Sequence, residues 1–293
     1  NITNIETIRF YSNFADVIVL SRELSLRQIK NITNEIEKQQ IKGPSGNLIQ
    51  LEIFAHGALC VAVSGKCYMS LHTTNSSANR GACIQNCRKT YSVTDKEDGY
   101  QFDIDNEYIM SPKDLCTIGF LNQVLDSGPN ILKIEGRGRS PEYVKTTTQC
   151  YREAADSYLN GSYTKDKIEG WITKLKTVYN RGFWDGYYLG QKLGEWTKTH
   201  GSKATKKKIY LGKAKKYFTN LQVAEFNIES FNLKKGDNIL ITGTTTGVIE
   251  TIVDEMRNND KLVTDVKKGD NFSMKLDYFI RPNDRLYKVV NAK

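Results

Sequence analysis

The stretch from residue 16 to residue 54 constrains the fold most. "DVIVLS" (16–21) is a short β-branched apolar run, the pattern of a buried strand. "SLRQIKNITNEIEKQ" follows, with Ser25 and Gln28 placed as a capping box and Leu26, Ile29, Ile32 and Ile36 at helical spacing. "KGPSGN" (42–47) is a turn and "LIQLEIF" (48–54) a second strand. Strand, helix and strand joined this closely make a βαβ unit with parallel strands. The formula recurs downstream. "SPKDLCTIGFLNQVLDSG" (111–128) reads as a helix, with Ser111 as N-cap, Pro112 at N1, Asp114 at N3 and Gly128 closing it. "NILKIEG" (130–136) reads as a buried strand, and "SPEYVKTTTQCYREAADSYLNG" (140–161) as a helix capped by Ser140. Three or four such units are about half of a closed eight-unit barrel. Half a barrel leaves costly sheet edges, so the expectation is an open sheet or missing residues before Asn1.

The pattern changes near residue 200. "HGSKATKKK" is polar and Lys-rich, as a linker is, and short strands are expected from Lys208 onward. "NLKKGDNILITG" (232–243) and "DVKKGDNFSMKL" (265–276) each place "KKGD" before a strand, and "RPNDRLYKVV" (281–290) is a variant of the same turn and strand. Closely spaced strands with Gly-Asp turns predict a small antiparallel barrel. The expected domains are 1–204 and 205–293.

No apolar run approaches the ~20 residues that span a bilayer, and no signal peptide is legible, so a cytoplasmic protein is expected. A net charge of +9 suits an anionic partner such as RNA, although it also serves plain solubility. "KATKKKIYLGKAKKYF" (203–218) interleaves lysines with Tyr210, Tyr217 and Phe218. Lysines hold phosphates without reading bases, and aromatic rings stack on unpaired bases. Lys206, Lys207, Lys208, Lys213, Lys215 and Lys216 are therefore the candidate RNA contacts, with a solvated strand edge as the alternative.

Four of the six cysteines crowd one window, spaced Cys60-x6-Cys67-x15-Cys83-x3-Cys87. Only the second pair has the spacing of a structural zinc site. Four thiolates from one loop also suit an iron–sulfur cluster; disulfides and buried free thiols remain alternatives. Gly57, Gly65 and Gly81 allow tight turns there, and Lys66, Arg80 and Arg88 offset thiolate charge. A catalytic thiol needs a His base; there are three histidines, His56, His72 and His200, and no nucleophile signature surrounds any cysteine.

"EIFAHGALCVAVSGKCYMS" (52–70) matches the signature of the collagenase-like peptidase family at Glu52, Phe54, Gly57, Ala58, Leu59, Cys60, Gly65, Cys67, Met69 and Ser70. "LSRELS" (20–25), "NRGACIQNCR" (79–88), "MSPKDLC" (110–116), "KIEGRGRSPEYV" (133–144) and "NRGFWDGYYLG" (180–190) are also family-like. The resemblance covers almost the whole chain. It implies a TIM-type barrel lacking its first half here, followed by a barrel similar to the second domain of elongation factors. It is nearest the tRNA hydroxylation branch, which makes 5-hydroxyuridine at the wobble position and is linked to prephenate. Related members bind a [4Fe–4S] cluster through four cysteines, which implies Cys60, Cys67, Cys83 and Cys87 as ligands, with Cys116 in reserve and Cys150 as a packing residue. The family also carries a peptidase label, yet no triad, HExxH motif or acid dyad is visible.

"KIEGRGRSPEYV" puts Glu135, Arg137 and Arg139 at the C-terminal end of a strand, where α/β barrels place their chemistry. Arg137 and Arg139 suit a small anionic substrate, and Glu135 an acid–base role, with an ion-paired loop as the alternative. Glu52, read as a strand-end acid, and His56 flank the first cysteine as further catalytic candidates. Three functions follow: an iron–sulfur RNA hydroxylation protein, a peptidase, or a non-catalytic nucleic-acid-binding module with structural zinc.

Overall fold

A computed structural model describes residues 2–77, 80–99, 101–102, 110–191, 194–198 and 201–292; His200 lies outside them. The chain is mixed α/β and divides into two compact units, Asn1–Gly138 with Thr147–Lys203, and Arg139–Thr146 with Ala204–Lys293.

The first unit contains α1 (Ile5–Tyr11), β1 (Val17–Val19), α2 (Leu26–Gln39), β2 (Gln50–Ala58), α3 (Met69–Thr74), β3 (Val93–Thr94), β4 (Gln101–Phe102), β5 (Asp114–Cys116), α4 (Leu121–Asp126), β6 (Ile131–Ile134), most of α5 (Pro141–Leu159), α6 (Lys165–Lys176) and β7 (Phe183–Trp184). Local sequence accounts for α2. Gln28 N–H donates to Ser25 Oγ at 3.3 Å and Ser25 N–H to Gln28 Oε1 at 2.9 Å, a capping box worth about 1 kcal/mol. Ile29, Ile32 and Ile36 are buried in one cluster with Leu51 and Ile53 of β2, each side chain contributing about 2 kcal/mol.

β2 is the central strand. β1 pairs with it in parallel from Val17–Gln50 to Val19–Glu52, and β6 in parallel from Glu52–Ile131. Because Glu52 has a partner on each side, β1 and β6 flank opposite edges. β5 pairs antiparallel with the end of β2, His56 opposite Cys116, and β7 runs parallel to β5. The sheet is therefore mixed, where an all-parallel one was expected.

The predicted helix over 111–128 is corrected. Asp114–Cys116 is a strand, and the helix is confined to Leu121–Asp126. Asp114, Leu115, Cys116, Thr117 and Ile118 are all buried, and β5 has a partner strand on both edges. A continuous buried run is the mark of an enclosed strand, and pairing overrode the local capping signal. Ser111 caps nothing; its Oγ accepts from Arg88 at 3.0 Å.

The second unit is built from β8 (Lys206–Phe218), β9 (Val223–Ile228), β10 (Asn232–Lys234), β11 (Asn238–Gly243), β12 (Gly247–Ile252), β13 (Met256–Asn258), β14 (Lys261–Val263), β15 (Asp265–Lys267), β16 (Asn271–Lys275) and β17 (Arg285–Asn291). Among the described residues, eight strands follow the order β12-β11-β17-β8-β9-β16-β13-β14, and β10 pairs with β15; every ladder is antiparallel. One core takes Leu211, Phe226, Ile239, Phe272 and Leu286, with Phe226 and Phe272 stacked at 5.3 Å. At Gly212 a Cβ would stand 1.8 Å from the Asn227 carbonyl oxygen, so β8 and β9 approach only because this residue is glycine. Lys206–Lys208, expected in a linker, are already in β8, laddered to Asn291–Val289. Lys206 and Lys207 are exposed while their backbone pairs, which composition alone cannot reveal.

The three Asp turns share one geometry. Asp237 Oδ2 accepts Lys234 N–H, Asp270 Oδ2 accepts Lys267 N–H and Asp284 Oδ2 accepts Arg281 N–H, each at 2.8 Å. The residue before each Asp has a left-handed φ: 87° at Gly236, 96° at Gly269 and 71° at Asn283. Asn tolerates that region, so the third turn keeps the form without glycine.

Candidate functional site

The cysteines follow the C-terminal end of β2. Gly57, Gly65 and Gly81 have φ of 116°, 74° and 83°, turns that a side chain rarely permits. The segment that carries the second cysteine pair folds back on α3. Ile84 N–H donates to Ser70 Oγ at 3.2 Å, and Asn86 Nδ2 to Thr73 Oγ1 at 2.5 Å, with Ser70 and Asn86 buried. Ser70, which ends the signature, thus pins the residue beside Cys83.

All four thiols are electrostatic neighbours. Loss of solvent pushes the Cys60 and Cys87 thiols up, and repulsion from the other cysteines adds to it; Arg22 pulls Cys60 down and Arg88 pulls Cys87 down. The Ala62 N–H also points at the Cys60 sulfur. Among the described residues no group of three or more His, Cys, Asp or Glu side chains is arranged to hold a metal ion. The donor chemistry suits a sulfur-ligated group, since four neighbouring thiols sit beside arginines that counter their charge.

Two arginines grip the chain just before Cys60. Arg22 Nη1 donates to Ala58 O at 2.7 Å, and Arg88 Nη2 to Leu59 O at 2.6 Å. Arg88 Nη1 also donates to Pro112 O at 2.7 Å. Arg22 lies over the Phe54 ring at 3.7 Å and 3.7 Å from Glu135. Glu23 Oε1 accepts Ser64 N–H at 2.7 Å, holding the loop between Cys60 and Cys67. In the sequence Arg88 stands out only by its charge, and Arg22 and Glu23 lie unmarked within "LSRELS".

The other candidates divide. Glu135 and Arg137 sit beside the cysteine segment: Glu135 N–H donates to His56 O at 2.8 Å, Arg137 N–H to Glu135 Oε1 at 2.8 Å, and the Arg137 guanidinium to Gly81 O. Arg139 is counted with the second unit and lies 5.4 Å from the Tyr143 ring. Glu52, expected at a strand end, is instead inside β2, because the strand runs on to Ala58; it pairs with Lys133 at 2.5 Å. His56 is buried, with the Tyr151 and Phe183 rings each 5.5 Å away. Tyr151 Oη donates to Ala55 O at 2.8 Å and accepts Thr117 N–H at 2.9 Å, bolting α5 to both strands. Cys116 is buried opposite His56, its thiol pushed up to about 12 by burial, with Asp185 adding to the rise. Cys150 is buried in α5.

Of the lysines, Lys208 pairs with Glu142 at 2.7 Å, Lys213 with Glu229 at 3.7 Å and Lys215 with Glu225 at 3.0 Å. Lys216 lies over Phe218 at 4.7 Å, and Lys206 and Lys207 are exposed. Among the described residues no helix is long and apolar enough to cross a membrane.

The profile of peptidase family U32 matches residues 1–198. A protein of Porphyromonas gingivalis named collagenase is 56% identical over 288 residues, covering 98% of this chain and 70% of its own. The tRNA hydroxylation protein P1 of Bacillus subtilis is 32% identical over 273 residues, 88% of this chain and 60% of its own. A 23S rRNA 5-hydroxycytidine synthase of Escherichia coli is 37% identical over 202 residues, 67% of this chain and 29% of its own. With the signature at residues 52–70 in place and the profile spanning the whole first unit up to residue 198, the chain belongs to peptidase family U32, the collagenase-like family.

Proposed function

We propose that this chain is an RNA-hydroxylating protein whose Cys60, Cys67, Cys83 and Cys87 hold a [4Fe–4S] cluster, with the tRNA wobble uridine as the favoured target. The observation that carries the reading is four thiols within electrostatic reach of one another in the segment after β2, countered by Arg22 and Arg88. The relatives named for tRNA and rRNA hydroxylation support RNA as the substrate. When bound, the cluster supplies one-electron chemistry. Arg137, beside the cysteine loop, binds a small anionic co-substrate such as prephenate, and Glu135, whose Oε1 accepts the Arg137 N–H, serves as acid–base group. The exposed Lys206 and Lys207 hold RNA phosphates, and their paired neighbours on β8 contribute less.

The peptidase reading has the collagenase-named relative in its favour. Against it, His56 is enclosed by aromatic rings, and the charged neighbours of Cys60 and Cys87 are arginines and other thiols. Metal and sulfide analysis of the chain purified without oxygen separates the readings. About four irons and four sulfides per chain are expected, with RNA hydroxylation lost in Cys60→Ala and Cys83→Ala. Zinc alone, or peptide hydrolysis that survives both substitutions, overturns the proposal.

A further inference from the structure

Arg88 is a half-buried cation that forms no salt bridge with a carboxylate among the described residues. Its guanidinium donates to three neutral oxygens, those of Leu59, Pro112 and the Ser111 hydroxyl. Arg181, beside it, is a second cation and is itself paired with Asp114 at 3.6 Å. Arg22, with an 18% exposed side chain, has Glu135 as its ion-pair partner, at a loose 3.7 Å. Taking a guanidinium out of water without a close counter-charge is unfavourable. Besides Glu135, the acidic neighbours include Cys87, Asp114 and Cys60 at Arg88, and Cys60 and Glu23 at Arg22, so thiols face both cations. The same two arginines hold the carbonyls of consecutive residues, Ala58 and Leu59, immediately ahead of Cys60.

We propose that Arg22 and Arg88 are positioning residues for the sulfur-bound group, fixing the segment that delivers Cys60 and offsetting the negative charge of the four thiolates. This rests on the ligand set proposed above. It assigns each arginine two separable jobs, a hydrogen bond to a carbonyl and a charge. Lysine keeps the charge and loses the fork; glutamine loses the charge.

The test measures zinc affinity by chelator competition on the full chain, a probe of the thiols that needs no iron. The variants are Arg22→Gln, Arg22→Lys, Arg88→Gln and Arg88→Lys, with melting curves as the folding control. Arg22→Gln removes one carbonyl hydrogen bond, the loose Glu135 pair and the Phe54 stack, against three hydrogen bonds at Arg88, so it carries the test if Arg88→Gln unfolds. Second-sphere losses of this kind weaken metal binding by about 10- to 100-fold. Each Gln variant is expected in that range and each Lys variant nearer the parent. In the iron-loaded protein the Gln variants shift the reduction potential downward, since lost positive charge disfavours the added electron. Gln variants that bind zinc like the parent, with an unchanged potential, overturn the inference and leave the ligand set standing. A parent chain that takes up neither zinc nor iron overturns both.

Discussion

Glu23→Ala isolates what holds the cysteine loop. Glu23 Oε1 accepts the Ser64 N–H at 2.7 Å, and its other oxygen accepts from Ser21 Oγ. Loss of solvent pushes the Glu23 carboxyl up, but the bonds from Ser21 and Ser64 outweigh it and hold the group below its ordinary 4.5. A hydrogen bond to a charged acceptor contributes about 1.5–3 kcal/mol. Glu23 is partly exposed, which favours the low end, about 1.5–2 kcal/mol. Ser64 amide exchange should therefore speed up about 10- to 30-fold in Glu23→Ala. The pH dependence has a definite sign. A depressed folded value means the contribution is complete above 4.5 and is lost as pH falls through the folded value. After correction for intrinsic exchange, Ser64 protection in the parent chain should hold from neutral pH into mild acid and collapse below it. The variant should show no such step. Equal Ser64 exchange in the two chains refutes the argument.

The graded contacts of the three Asp turns predict graded losses: about 1 kcal/mol for Asp270→Ala, about 2 for Asp237→Ala and about 3 for Asp284→Ala. The Asp270 carboxylate accepts one backbone bond; Asp237 adds Lys288 at 2.6 Å; Asp284 is buried and adds Thr246 at 2.5 Å. Urea unfolding followed by circular dichroism checks the order, and equal costs contradict it. Native alkylation read by mass spectrometry should label Cys60, Cys67, Cys83 and Cys87 first, with Cys116 and Cys150 reacting only on unfolding; a fast Cys116 defeats this. Between pH 9 and 12 the unfolded chain loses a thiol proton that native Cys116 keeps, so stability falls as pH rises. Cys116→Ala should flatten that decline by about 1.4 kcal/mol per pH unit, and parallel declines would rule it out.

Elements legible in the chain were those whose instructions lie within a few residues. The α2 capping box joins Ser25 to Gln28, and its apolar stripe repeats every three to four residues. The Asp turns are likewise local, each closing over three residues, so "KKGD" and "RPND" reveal a common geometry. The cysteine cluster was visible as spacing, and its glycines as turn formers. Tertiary structure decided the rest. Residues 111–116 carry a persuasive helix start, yet strand pairing on both edges outweighed a cap worth about 1 kcal/mol. Glu52 and His56 looked equally available beside Cys60; only the ladder shows one ion-paired within β2 and the other enclosed by rings. The assembly around Cys60 depends on Arg22, Arg88 and Glu135, drawn from the segment after β1, the returning loop and the residue after β6. Such contacts form only once the sheet has brought distant segments together, and no local window contains the energy that selects them.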